Sequence, residues 1–95
     1  MPVLGYVSQT AQGVRVNYAD MPADTEAVFV NTTSGTKTPS ASNALNNGGS
    51  GSADIPIEPS LPAGSYYLLA QGRQSKQNLA QTVPFYISRG SGEGK

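Results

Sequence analysis

The sequence contains no cysteine and no histidine. The first absence removes disulfides, thiolate nucleophiles and cysteine-based zinc sites; the second removes the usual general base and the commonest transition-metal ligand. Charge is sparse and balanced, with 13% ionic residues and six Lys plus Arg against six Asp plus Glu. That leaves no basic stripe for nucleic acid or an anionic membrane surface. No apolar run approaches a bilayer span, and residues 1–20 lack the basic and continuous apolar regions of a secretory signal. Together these absences predict a non-enzymatic protein made in the cytoplasm, with no cofactor and with neither nucleic acid nor membrane as partner.

What is present is turn chemistry. Eleven glycines and seven prolines in 95 residues interrupt the chain too often for a helix of ordinary length. Apolar residues fall in short bursts instead. Val3 to Gln9 reads as a first strand, and in "GVRVNYA" Val14, Val16 and Tyr18 alternate with Arg15 and Asn17, the pattern of a half-buried strand. "EAVFVNT" places Val28 and Val30 on one face and Ala27 and Phe29 on the other, which predicts a central strand. Residues 31–52 are poor in apolar side chains and rich in turn formers, so an exposed, flexible polar excursion is expected, with a short edge strand near Ser40 to Leu45. "ADIPIEPS" resumes extended structure around Pro56, which lacks a ladder donor and so belongs on an edge. "SYYLLAQG" and "AQTVPFYIS" are the strongest strand patterns.

Six or seven short strands predict an all-β fold: a two-sheet antiparallel sandwich over 1–88, followed by a mobile tail, 89–95. Leu61, Pro62, Gly64 and Tyr67 are spaced similarly to the segment that enters the penultimate strand of fibronectin type III and related immunoglobulin-like domains, with the glycine one place later. "IPIEPSLPAGSYYLLA" and "VPFYI" also resemble the immunoglobulin-like domains of fungal cell-wall and bacterial surface proteins. The resemblance implies an immunoglobulin-like sandwich with a structural corner at Leu61, Pro62, Gly64 and Tyr67. A tyrosine there buries its ring and bonds its hydroxyl back to the turn. Tyr67 is the expected corner and Tyr66 the alternative.

Candidate sites are weak beside this framework. Asp20, Asp24 and Glu26 could surround a calcium ion, but their spacing fits no calcium loop and a solvated connection is the better reading. Tyr6, Tyr18, Tyr66, Tyr67 and Tyr86 could offer a platform to sugar rings, though tyrosines on alternating strands more often fill a core. "NTT" at Asn31 matches a glycosylation acceptor of low specificity. Hydroxyl nucleophiles would need Lys37, Lys76, Lys95 or a carboxylate as base, and the lysines sit in polar, solvated segments.

An adhesion-style fold without a secretory signal, headed by a Met1-Pro2 that reads as a native start, is reconciled by assembly into a particle that leaves the cell by lysis. The expectation is a small virion structural protein, a capsid decoration or a tail or fibre appendage. It is a monomer when isolated and binds a repeated protein surface through Val3, Tyr6, Asn31, Asn46 and Arg89. The alternative is a carbohydrate-binding or adhesive domain excised from an extracellular cell-surface protein, with a glycan as partner.

Overall fold

The computed structural model describes residues 1–10, 13–40 and 42–88. It is all-β, with eight strands: β1 (Val3–Gln9), β2 (Gly13–Met21), β3 (Thr25–Asn31), β4 (Lys37–Pro39), β5 (Gly49–Pro56), β6 (Gly64–Gly72), β7 (Asn78–Gln81) and β8 (Phe85–Ile87). They form two antiparallel sheets. The first has the order β1-β2-β5; the second runs β4-β3-β6-β7, with β8 pairing the start of β6 on the same side as β7. Arg89 and the rest of the tail expected at 89–95 lie outside the described residues.

Alternation builds the core. Val14 and Val16 on β2 are fully buried while Arg15 and Asn17 face solvent. Opposite them, Ala27 and Phe29 on β3 stand beside Ala70 and Leu68 on β6 and point into the same cluster with Leu4, Ile55 and Ile87. β3 is buried from Thr25 to Val30 because it lies between β4 and β6 and also carries apolar groups on its outer face, where Val28 and Val30 pack with Leu69 and Tyr67. The central placement read from "EAVFVNT" holds. Pro56 ends β5, which is an edge strand as expected.

Two backbone approaches require glycine. A Cβ on Gly13 would strike the Ile55 carbonyl oxygen across the β2–β5 ladder. Gly48 combines a φ of 72° with a site where a Cβ would lie 2.5 Å from the Met21 carbonyl oxygen, so a side chain there is both strained and blocked.

Three sequence expectations change. The strand count rises to eight because "AQTVPFYIS" breaks between β7 and β8. Pro84 has no N–H to offer. Across the break the ladder to β6 is carried by Thr82, whose N–H donates to the Leu68 carbonyl at 2.9 Å and whose hydroxyl accepts the Leu68 N–H at 3.0 Å. Residues 31–52 are not simply an excursion: they contain β4 and the start of β5, and Leu45 is 1% exposed within the main core. The edge strand expected near Ser40 to Leu45 lies at Lys37–Pro39. Finally, the corner tyrosine is Tyr66, which is 2% exposed and donates its hydroxyl to the Pro62 carbonyl at 2.9 Å. Tyr67 points to the opposite face of β6 and packs on the outer cluster. Strand parity decides between the two: Tyr66 shares the inward side with Leu68 and Ala70, and adjacent strand residues face opposite ways.

Candidate binding surfaces

β1 of the first sheet lies against the β7 and β8 side of the second, where the Tyr6 and Phe85 rings stack with centroids 5.0 Å apart and planes 15° from parallel. This is one lateral edge of the sandwich; β5 and β4 end the two sheets at the other. Apart from Met1, the exposed large apolar side chains among the described residues are Val3, Val7, Val83 and Tyr86. All four belong to β1, β8 or the β7–β8 link. Val7 sits at a register shift between Tyr6 and Ser8, a bulge that bends the strand. Val3 and Tyr6, expected as partner contacts, are therefore neighbours on this edge, with Val3 open to solvent and Tyr6 half-buried.

Asn46 belongs to a polar network at the start of β3. The Glu26 carboxylate, only 8% exposed, faces Lys76 Nζ at 3.1 Å and Arg73 Nη1 at 3.7 Å. Arg73 also stands 3.6 Å from Asp24 and donates through Nε to Asn46 Oδ1 at 3.3 Å. The Asp24 N–H donates to the Asn46 carbonyl at 2.7 Å. Both Asp24 and Lys76 hold left-handed backbone, φ 60° and 59°, a conformation that an L residue keeps only when its surroundings hold it there. The network clasps the β4–β5 connection against the ends of β3 and β6. Asp24 and Glu26 thus answer to cations of the same chain, and so does Asp20, whose carboxylate stands 3.6 Å from the Met1 ammonium and whose N–H donates to Ser50 Oγ. Among the described residues no group of three or more His, Cys, Asp or Glu side chains could hold a metal ion. Lys76 is exposed but bound to a buried carboxylate, a pairing that its polar sequence context did not announce.

Asn31 lies at the far end of β3. There a cleft of about 240 Å³ opens between β4 and the β5–β6 link, walled by Asn31, Ser34, Thr36, Thr38 and Ser60 and floored by Leu61, Pro62 and Tyr66. The expected corner residues Leu61 and Pro62 therefore serve this cleft, and Gly64 adjoins it: a Cβ there would lie 3.6 Å from Asn31 Nδ2 and 3.7 Å from the Tyr66 ring. The expected contact residues do not meet. Val3 and Tyr6 share one lateral edge, Asn46 the start of β3, and Asn31 its end. The cleft residues on β4 and Ser60 escaped sequence reading because serine and threonine in turns carry no distinguishing spacing.

The five tyrosines also divide. Tyr66 is in the core, Tyr6 and Tyr18 pack against it, Tyr67 lies on the outer cluster, and Tyr86 is exposed. Comparison with protein-family models, with curated proteins and with solved structures finds no match to this chain.

Proposed function

We propose that this protein is a non-enzymatic, immunoglobulin-like binding module that docks on a repeated protein surface, in the manner of a small virion structural subunit such as a capsid decoration or a tail or fibre appendage. The immunoglobulin-like part rests on strand order and on the corner. In the constant-type arrangement, strands A, B, E and D face C, F and G. Here β1, β2 and β5 take the places of A, B and E; β3, β6 and the β7–β8 pair take those of C, F and G. β4 pairs β3 rather than β5, which moves one strand between sheets. The Tyr66 hydroxyl bonded to Pro62 near the start of β6 corresponds to the tyrosine corner of that family.

The observation that carries the docking reading is the lateral edge made by β1 and the β7–β8 segment. It combines Val3, Val7, Val83 and Tyr86 with a strand edge that no other described strand pairs. A strand edge offers a row of backbone donors and acceptors to a neighbour, and apolar side chains beside it add burial. The edge favours a protein partner over a small molecule, because its apolar groups are spread along strands and line neither the cleft at the end of β3 nor the hollow beside Arg73. Many weak contacts of this kind hold firmly when copies sit on a lattice.

The test mixes purified protein with particles assembled without it. Saturable, stoichiometric binding that raises the particles' resistance to heat or chelator is expected, and Val7→Lys with Val83→Lys should abolish it. No association at tens of micromolar, or association unaffected by both lysines, would remove this reading.

A further inference from the structure

The cleft at the end of β3 has a chemistry of its own, on the edge opposite the docking surface. Asn31 Oδ1 accepts the N–H groups of Thr33 and Ser34, both at 2.9 Å. Those two bonds use both acceptor positions of the oxygen and fix which way the amide points, leaving Nδ2 as a double donor on the cleft wall. Thr36 Oγ1 accepts from Ser34 Oγ at 2.9 Å and keeps its own proton. The Thr38 and Ser60 hydroxyls take no hydrogen bond within the described residues. Lys37, between Thr36 and Thr38, is paired with Val30 and so projects from the other face of β4, leaving no charged side chain on the cleft wall.

We infer that this cleft binds a neutral pyranose, as a single hexose residue of a glycan. A hexose presents neighbouring hydroxyls that each donate and accept, which an amide donor flanked by hydroxyls can satisfy. Its C–H face needs an apolar support, and Pro62 and Leu61 supply one. The volume, about 240 Å³, lies below the ~300–1,000 Å³ of pockets that hold drug-sized ligands, so one ring is the appropriate size. A charged sugar finds no counter-ion here. A proline-rich peptide is disfavoured, because grooves for it are lined by exposed aromatic faces and Tyr66 is 2% exposed. The same lack of an aromatic platform makes binding weak, with Kd on the order of 1–10 mM.

The experiment is an amide-shift titration of the labelled protein with D-glucose, D-galactose, D-mannose and N-acetylglucosamine, each to about ten times the expected Kd. At least one should give saturable shifts confined to 31–38 and 60–66. Asn31→Asp keeps the two acceptor contacts that hold the turn and removes the Nδ2 donor, so it should weaken that sugar roughly tenfold or more with the thermal midpoint nearly unchanged. Ser60→Ala, on the β5–β6 link, should weaken it several-fold and serves if Asn31→Asp disturbs the fold. The inference is overturned if none of the four sugars gives saturable shifts, if the shifts map elsewhere, or if affinity survives in folded variants of both kinds.

Discussion

The two lateral edges of the sandwich are closed in different ways. On the β4/β5 edge the chain itself crosses between the sheets twice: the β4–β5 connection is plugged by Leu45 and clasped from outside by the Arg73 network, and the β5–β6 link is held by Leu61 and by the Tyr66 hydroxyl on Pro62. No described connection crosses the β1/β8 edge. It is sealed by the stack of Tyr6 on Phe85 and rimmed by exposed apolar groups. A crossing connection covers core with backbone whose polar groups must face water, so that edge becomes hydrophilic. An uncrossed edge must be closed by side chains, and the apolar atoms that close it remain partly outside. This difference underlies the two proposals, polar recognition at one edge and docking on a protein surface at the other.

The sharpest way to break the comparison is to remove the plugs of the crossed edge. Leu45→Ala should destabilise by about 2–5 kcal/mol, the range for deleting a fully buried leucine. Had the 31–52 segment been only a polar excursion, the same change would cost less than about 0.5 kcal/mol, as at ordinary surface positions. Tyr66→Ala should cost about 3–5 kcal/mol, and Tyr66→Phe about 1 kcal/mol through the lost bond to Pro62. Tyr67→Phe should be close to silent. Denaturant midpoints for the four variants at constant m-value decide the matter.

On the uncrossed edge the break between β7 and β8 depends on one hydroxyl. Thr82→Val retains shape but removes the acceptor for the buried Leu68 N–H, and should cost about 1–3 kcal/mol. Amide exchange at Leu68 should accelerate more than at Ala70, which pairs with Ala80 away from the break. Equal acceleration at both would mean that Thr82 acts on the strand as a whole. A double-mutant cycle on Tyr6 and Phe85 isolates the seal itself. A coupling of about 0.5–1.5 kcal/mol is expected for a stacked aromatic pair beyond the area each ring buries. Coupling near zero would show that the rings are neighbours without sealing anything.

Much of this was legible in the sequence, and the misses have physical causes. β1 was found with its boundaries intact, and the faces of β3 were assigned correctly, because alternation of Val28 and Val30 against Ala27 and Phe29 records which side each residue takes. Leu45 was missed because one leucine among serines and asparagines has no period, yet one leucine suffices to anchor a loop when a hole in the core waits for it. The adjacent Tyr66 and Tyr67 could not be ordered from spacing alone, since the motif's glycine is displaced by one and a shift of one residue inverts every side chain. The break at Pro84 was missed because the apolar residues on both sides of the proline read as one strand, and no spacing announces that a threonine hydroxyl bridges it. The cleft was invisible because its wall combines the β3–β4 turn, strand β4 and the β5–β6 link, each of unremarkable composition.

The smallest effect on stability is expected where the effect on function should be largest. Val83 is 66% exposed on the β7–β8 link and Val7 is 46% exposed at the bulge of β1. Neither side chain is buried, so Val83→Lys and Val7→Lys should each change stability by less than about 0.5 kcal/mol. A lysine on a strand edge nevertheless disfavours pairing with another chain, because docking would strip water from an ammonium that has no partner there. The two variants should thus melt like the parent and fail to associate with particles, while leaving sugar-induced shifts at 31–38 unaltered. If instead the lysines weaken the sugar response and spare particle binding, the two edges have been assigned the wrong way round. If they unfold the protein, the apolar rim belongs to the seal and not to a docking surface.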